Sequence, residues 1–272
     1  MCRFALRLGP ARPIGDLLTA PHGLEVQSYA PRQQQHGNVN VDGTGIAWWP
    51  GDGDPTPLRY ATLAPPWSDP NLPDLAARLT AGTVLAAVRG ATPGIGHGAD
   101  LVAPFVVGDL AVAHNGWLGG FRTGVAATLL RELPDDLLSG LPAVSDSRVL
   151  ALLIAAHRRR GADLAAAVEL ALVDAVVACR AASQPATLNL AVTDGTEAVA
   201  VRGSLDLPGN SLWVATGAPG WDGCTVVASE PLDHADPGSA TGWTSVPDAT
   251  LVHVGRTGAV ATRPLTLLEE HA

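Results

Sequence analysis

Met1-Cys2-Arg3-Phe4-Ala5-Leu6-Arg7-Leu8-Gly9 opens the chain, and its second residue governs how the rest is read. Once Met1 is removed, Cys2 carries a thiol and a free α-amino group on one residue. That amine has a reference pKa of about 7.7–8.0, so near neutral pH it can act as a base. A thiol is a strong nucleophile once its proton is taken. Nucleophile and base then share one residue. On position alone the commoner reading is a small buried cysteine near the start of a strand, and residues 2–9 do alternate loosely as one. Later stretches of the chain reverse that preference.

Composition sets the bounds. With 272 residues, 47 % of them hydrophobic and 16 % charged, the chain can bury a sizeable core. The net charge is −9 and every basic residue is arginine, with no basic run outside one helix end. Such a chain argues against nucleic acid or an anionic membrane as partner. Cys2, Cys179 and Cys224 are an odd, widely spaced set, which fits a reducing compartment rather than a disulfide framework. They do not combine with the scattered histidines into a metal site. No apolar run is long enough to span a membrane, and Pro10, Pro13, Gly15 and Asp16 interrupt any signal-peptide core. The expected location is the cytoplasm.

Strands are expected at 2–9, 59–63, 83–89 and 110–114, and a short extended segment at 24–29. A two-glycine turn at 42–45 runs into an aromatic strand ending at Trp48-Trp49. Helical turns fall at 14–18 and 75–79. Longer helices are predicted at 125–133, 146–160 and 164–181, the second capped by Ser145 or Asp146 and ending in His157 and three arginines. After Pro185 come a hairpin at 187–193 and 197–202, then strands at 212–216, 225–229, 250–254 and 259–263. Residues 231–241 read as the most mobile loop. Strands, then helices, then strands suggest an α+β sandwich in one domain.

Four landmarks stand in order: Cys2-Arg3; Val88-Arg89 with Ala91-Thr92; His114-Asn115-Gly116; and Ser145-Asp146-Ser147. Together they resemble the class II glutamine amidotransferase family of N-terminal-nucleophile hydrolases. The chain is most similar to the branch that includes a γ-glutamyl hydrolase of the ergothioneine pathway. Gln27-Ser28-Tyr29-Ala30-Pro31-Arg32, His36-Gly37, Asn40 with Asp42-Gly43, Ala103-Pro104-Phe105, Ala228-Ser229-Glu230-Pro231 and Trp243 carry that closer likeness. The resemblance implies a four-layer αββα sandwich over residues 2–265, followed by a tail at 266–272.

It also implies roles. Cys2 is the nucleophile, and Asn115 and Gly116 form the oxyanion hole, although Asn-Gly alone is a turn dipeptide. Arg89 clamps a substrate α-carboxylate, a task suited to a guanidinium fork. Asp146 pairs with the α-ammonium, a role compatible with capping the helix. Thr92 and Gly43 line the glutamyl pocket. His36 and His114 read as structural, since the amine already supplies a base. The expected activity is hydrolysis of a small-molecule γ-glutamyl amide, best γ-glutamyl-hercynylcysteine sulfoxide, without cofactor or metal. Thr44, Phe4 and Trp117 depart from the family pattern and bear on the leaving group. A glutaminase subunit feeding a separate synthase and a silent paralogue stay open as alternatives, and a homo-oligomer is allowed.

Overall fold

The computed structural model describes residues 2–51, 53–91, 96, 98–233 and 242–268. In chain order its elements are β1 (Arg3–Pro13), α1 (Asp16–Thr19), α2 (Leu24–Tyr29), β2 (Thr44–Trp48), β3 (Leu58–Thr62), α3 (Leu72–Arg78), β4 (Thr80–Val88), β5 (Phe105–Val107) and β6 (Leu110–Leu118). They continue with α4 (Val125–Arg131), α5 (Asp135–Ser139), α6 (Asp146–Arg159), α7 (Leu164–Ala181), β7 (Ala186–Thr193), β8 (Ala198–Arg202) and β9 (Ser204–Leu205). The last are β10 (Trp213–Thr216), β11 (Thr225–Ala228), β12 (Trp243–Ser245), β13 (Thr250–Val254) and β14 (Val260–Pro264).

Among the described residues these strands form two antiparallel sheets. The first runs β12-β10-β11-β1-β4-β2-β3, and the second runs β14-β13-β8-β7-β6-β5 with β9 beside β7. Helices close both outer faces. Ile14, Leu17, Leu18, Leu24, Leu72 and Ala76 of the α1–α3 region bury against Ala5, Ile46, Val84, Ala86 and Val88 of the first sheet. The second sheet is covered by α6 and α7, through residues such as Val149, Leu153, Val168 and Leu172. Between the sheets lie Phe4, Leu6, Leu8, Leu85 and Ala87. The result is the α+β sandwich with layers in the order αββα.

β1 shows how sequence sets this arrangement. It lies between β11 and β4, with Ala5 opposite both Ala228 and Ala86. Side chains alternate along a strand, so Phe4, Leu6 and Leu8 point between the sheets while Arg3, Ala5 and Arg7 point toward the helices. Arg3 and Arg7 are fully buried, and each has an acidic partner: Glu230 at 3.1 Å and Asp16 at 3.5 Å. A buried charge without such a partner would cost several kcal/mol, on the order of 3–5. Cys2 stands immediately before β1, at the end of the strand where Arg3 pairs with Val88.

Several local expectations are corrected. Residues 24–29 are helical, not extended: Gly23 enters in extended geometry, and Gln27 donates from Nε2 to His22 O at 2.9 Å, pinning the turn. β6 does not stop at His114 but continues through Asn115-Gly116 to Leu118, held by pairing with β7. The Asn-Gly pair is strand, not turn. The helix expected at 125–133 ends at Arg131, and Pro134 starts a separate helix, α5. β5, β9 and β12 were not foreseen; at two or three residues they carry no readable period. The loop expected at 231–241 lies, from 234 onward, outside the described residues, as do Thr92 and residues 269–272. Thr266–Leu268 forms a 3₁₀ turn whose Leu268 is buried in the core.

Candidate active site

Cys2 precedes β1 and Arg89 follows β4. Arg3 pairs with Val88, so the two residues fall side by side at one end of the first sheet. Both line a cleft that also takes in Gly90, Leu101, Ala103, Phe105, His114, Gly116, Ser145, Asp146 and Ser147. Cys2, Arg89, Gly116 and Asp146 thus come to one place from four separate stretches.

Arg89 is buried, and its Nη2 donates to Gly96 O at 3.0 Å. Its Nη1 is buried without a hydrogen-bond partner among the described residues. Its backbone is fixed by Gly43: Arg89 N donates to Gly43 O at 2.8 Å, and Asp42 N to Arg89 O at 2.9 Å. Gly43 is not part of the cleft lining but sets the register beside it. Its φ of +145° favours glycine, and a Cβ would stand 2.7 Å from Val102 Cγ2 and 2.8 Å from Thr62 O.

On β6, His114 faces α6, where its ring meets Ser147. Asn115 therefore faces the other way, and it is not among the residues that line the cleft with Cys2. Among the described residues neither Nδ2 nor Oδ1 of Asn115 has a hydrogen-bond partner, although the residue is fully buried. A polar side chain in that state costs free energy, about 1–3 kcal/mol. Gly116 passes so close to β7 that a Cβ would meet Thr187 O at 2.0 Å and His114 Nε2 at 2.3 Å. Only glycine fits there.

Ser145 is the cap of α6, accepting from Arg148 N at 3.2 Å. That leaves Asp146 to turn into the cleft. Its Oδ2 accepts from Leu118 N at 3.0 Å, and its Oδ1 from Ser147 N at 2.6 Å. The carboxylate is thereby tied to the strand that carries Asn115 and Gly116.

No family model matches the chain. Curated relatives do. A γ-glutamyl-hercynylcysteine sulfoxide hydrolase of Mycobacterium tuberculosis is 35 % identical over 263 residues, 96 % of each chain. One of Mycolicibacterium smegmatis is 35 % identical over 266 residues, covering 97 % of this chain and all of the relative. The chain belongs to the γ-glutamyl-hercynylcysteine sulfoxide hydrolase family. Its fold is shared with a glutamine aminotransferase class-II domain protein from Silicibacter pomeroyi, at TM-score 0.70 and 23 % identity, over 97 % of this chain and all of that one. It is also shared with 49 % of the glutamine phosphoribosylpyrophosphate amidotransferase of Bacillus subtilis, at TM-score 0.63 and 18 % identity over 98 % of this chain. The αββα sandwich is thus a fold shared with both of these solved structures.

In this family member three supporting groups around the cleft were not anticipated from sequence. Arg59 on β3 donates to Pro104 O at 2.8 Å, Ala99 O at 2.9 Å and Val102 O at 2.6 Å, holding the wall that carries Leu101 and Ala103. Glu230 gathers the start of β1 and the segment after α2. The third is the His114–Ser147 pair. His114 Nε2 bonds Thr187 O at 2.9 Å, so that nitrogen carries a proton; Nδ1 meets Ser147 Oγ at 2.9 Å. Adjacent landmarks, His114-Asn115-Gly116 and Asp146-Ser147, hinted at the pairing, but nothing in their spacing reveals a contact.

His114 is fully enclosed. Burial pushes its pKa below the ordinary range, opposed by the neighbouring Asp146 charge and the bond to Thr187. Ser147 Oγ stands between His114 Nδ1 at 2.9 Å and Asp146 Oδ1 at 3.1 Å, and its one proton serves one of the two at a time. The sign for stability follows. The unfolded chain takes up the proton first, near the ordinary histidine value of about 6.5. The full contribution is therefore present above that pH and is lost as pH falls toward the folded-state value. Urea unfolding between pH 7 and 5 is expected to show His114→Asn losing stability less steeply than wild type, by up to about 1.4 kcal/mol per pH unit. Parallel pH profiles would show that the imidazole does not titrate on unfolding.

Proposed function

We propose that the protein hydrolyses γ-glutamyl-hercynylcysteine sulfoxide, releasing glutamate through an N-terminal cysteine nucleophile. The observation that carries this reading is a pair of buried groups without hydrogen-bond partners among the described residues: Arg89 Nη1, in the cleft that Cys2 lines, and the Asn115 amide, on the strand that brings Gly116 to that cleft. A γ-glutamyl group offers what they lack. Its α-carboxylate matches the open arm of Arg89, and its α-ammonium suits the Asp146 carboxylate. Gly43 supports the site from outside the cleft, through its hold on the Arg89 backbone.

After removal of Met1, the Cys2 amine takes the thiol proton, directly or through water, and the sulfur attacks the γ-carbonyl carbon. The carbonyl π electrons move to oxygen, and Asn115 and the Gly116 N–H stabilise the oxyanion. Collapse of the intermediate breaks the C–N bond. The departing amine takes the proton held by the Cys2 ammonium, and a γ-glutamyl thioester remains. Water adds to the thioester with the amine as base, and glutamate leaves as the thiol is restored. Every step uses the chain's own groups and a small-molecule substrate, without cofactor, metal or nucleic acid. A cytosolic setting suits a mechanism that needs Cys2 reduced. No helix among the described residues is long and apolar enough to cross a membrane.

The deciding assay is glutamate release from γ-glutamyl-hercynylcysteine sulfoxide and from glutamine, measured side by side. The sulfoxide is expected to be preferred by about 10²-fold or more in kcat/KM, the discrimination given by a site built for the polar groups of a larger leaving amine. Equal or better use of glutamine would replace this reading with ammonia supply to a synthase.

A further inference from the structure

Glu230 is buried, yet it accepts hydrogen bonds from four directions. Its Oε1 receives Arg3 Nε at 3.1 Å and Gln33 N at 3.0 Å; its Oε2 receives His22 Nε2 at 2.9 Å and Arg32 N at 2.8 Å. Burial alone would raise the pKa of this carboxyl. The His22 bond, the Arg3 charge and the backbone donors outweigh it and hold the group below the usual carboxylate range. It stays ionised beside the start of β1.

The guanidinium it holds has a second task. Arg3 Nη1 reaches the Cys2 carbonyl at 3.4 Å. The preceding residue, Ser229, brackets the same strand, donating from its N to Phe4 O at 2.9 Å and accepting from Phe4 N at Oγ at 3.0 Å. Gln33 is anchored from its other side by Trp213 Nε1 at 2.9 Å. These contacts converge on a residue whose placement matters more than its burial. Cys2 itself precedes the first strand residue and lacks the ladder bonds that fix Phe4.

Resting on the reading of Cys2 as nucleophile, we propose that Glu230 is a positioning residue: through Arg3 it fixes the Cys2 backbone, and through Arg32 N and Gln33 N it ties that backbone to the segment following α2. Arg3 acts as a two-armed link in this arrangement, one arm on the carboxylate and one on the Cys2 carbonyl. Substrate binding is assigned elsewhere, to Arg89 on β4 and Asp146 on α6. A loosened Cys2 therefore affects kcat and leaves KM nearly unchanged.

The test uses the full chain with Met1 removed and follows glutamate release. Glu230→Gln keeps the shape but leaves Arg3 without its counter-charge. It is expected to lower kcat by about 10- to 100-fold with KM within about threefold, the scale of a roughly 1 Å misplacement of a reacting group. Arg3→Lys keeps a cation for Glu230 but cannot also reach Cys2, and it is expected to lower kcat similarly while remaining folded. Should Glu230→Gln fail to fold, Arg3→Lys decides the matter alone. Wild-type kcat in folded Arg3→Lys, or a loss carried by KM instead of kcat, overturns the proposal. Cys2→Ala run in parallel separates the two ideas: turnover in that variant removes the nucleophile assignment itself, whereas an inactive Cys2→Ala beside a fully active Glu230→Gln removes only the positioning role.

Discussion

Glutamate release is expected to fall by about 10⁴-fold or more when Cys2 is replaced by alanine, the scale seen when an activated nucleophile is deleted. The fold is expected to survive. Cys2 is half-buried and stands outside both apolar core clusters, so alanine removes a sulfur without opening the interior. Neither remaining thiol can take over. Cys179 and Cys224 are buried, and burial with the nearby Asp146 charge pushes the Cys179 thiol up to about 11. Intact mass belongs with the kinetics, because a retained Met1 would block the amine as surely as alanine removes the thiol. Turnover within about tenfold of wild type in Cys2→Ala would exclude covalent catalysis by this residue.

Asn115→Ala is expected to separate activity from stability. Loss of one oxyanion donor lowers kcat by about 10²- to 10³-fold. The substitution also removes two buried polar atoms that have no partner within the fold. Taking such atoms out of the interior relieves about 1–3 kcal/mol of desolvation, which offsets the small void left behind. The expected signature is a nearly inactive enzyme whose thermal midpoint equals or exceeds that of wild type. A residue that merely braced β6 against β7 would behave in the opposite way, with stability falling and kcat holding.

Much of the architecture was readable from the chain. The helix at Leu164–Ala181 and the strand at Thr250–Val254 have the bounds that periodicity gave them. Long amphipathic or β-branched runs carry their own period. β9 and β12, with two and three residues, have none and form only because a neighbouring strand offers a free edge. The helix at 24–29 was misread for a related reason: its decisive bond runs from the Gln27 side chain to the His22 carbonyl, and no alternation pattern records that.

The site divides in the same way. Cys2, Arg89, Gly116 and Asp146 announce themselves by residue type within short motifs, and folding gathers them around one cleft. What surrounds them was not legible. Arg3 and Glu230 are 227 positions apart, and His114 and Ser147 are 33 apart. Such pairs exist only after the sheets have closed, so their meaning appears with topology and not with composition.

The central place of β1 sets a timetable. Its partners are Thr80–Val88 on one side and Thr225–Ala228 on the other. A ribosome working at about 5–20 residues per second needs on the order of ten seconds to reach the second of these. Until then the first strand made cannot be enclosed, and the thiol it carries has no finished seat. Removal of Met1, which the proposed mechanism requires, has that interval in which to act on an open end. On the proposed reading the reactive centre is completed last from the piece synthesised first: a chain stalled before β11 already holds Arg89 but lacks Glu230, the partner of Arg3.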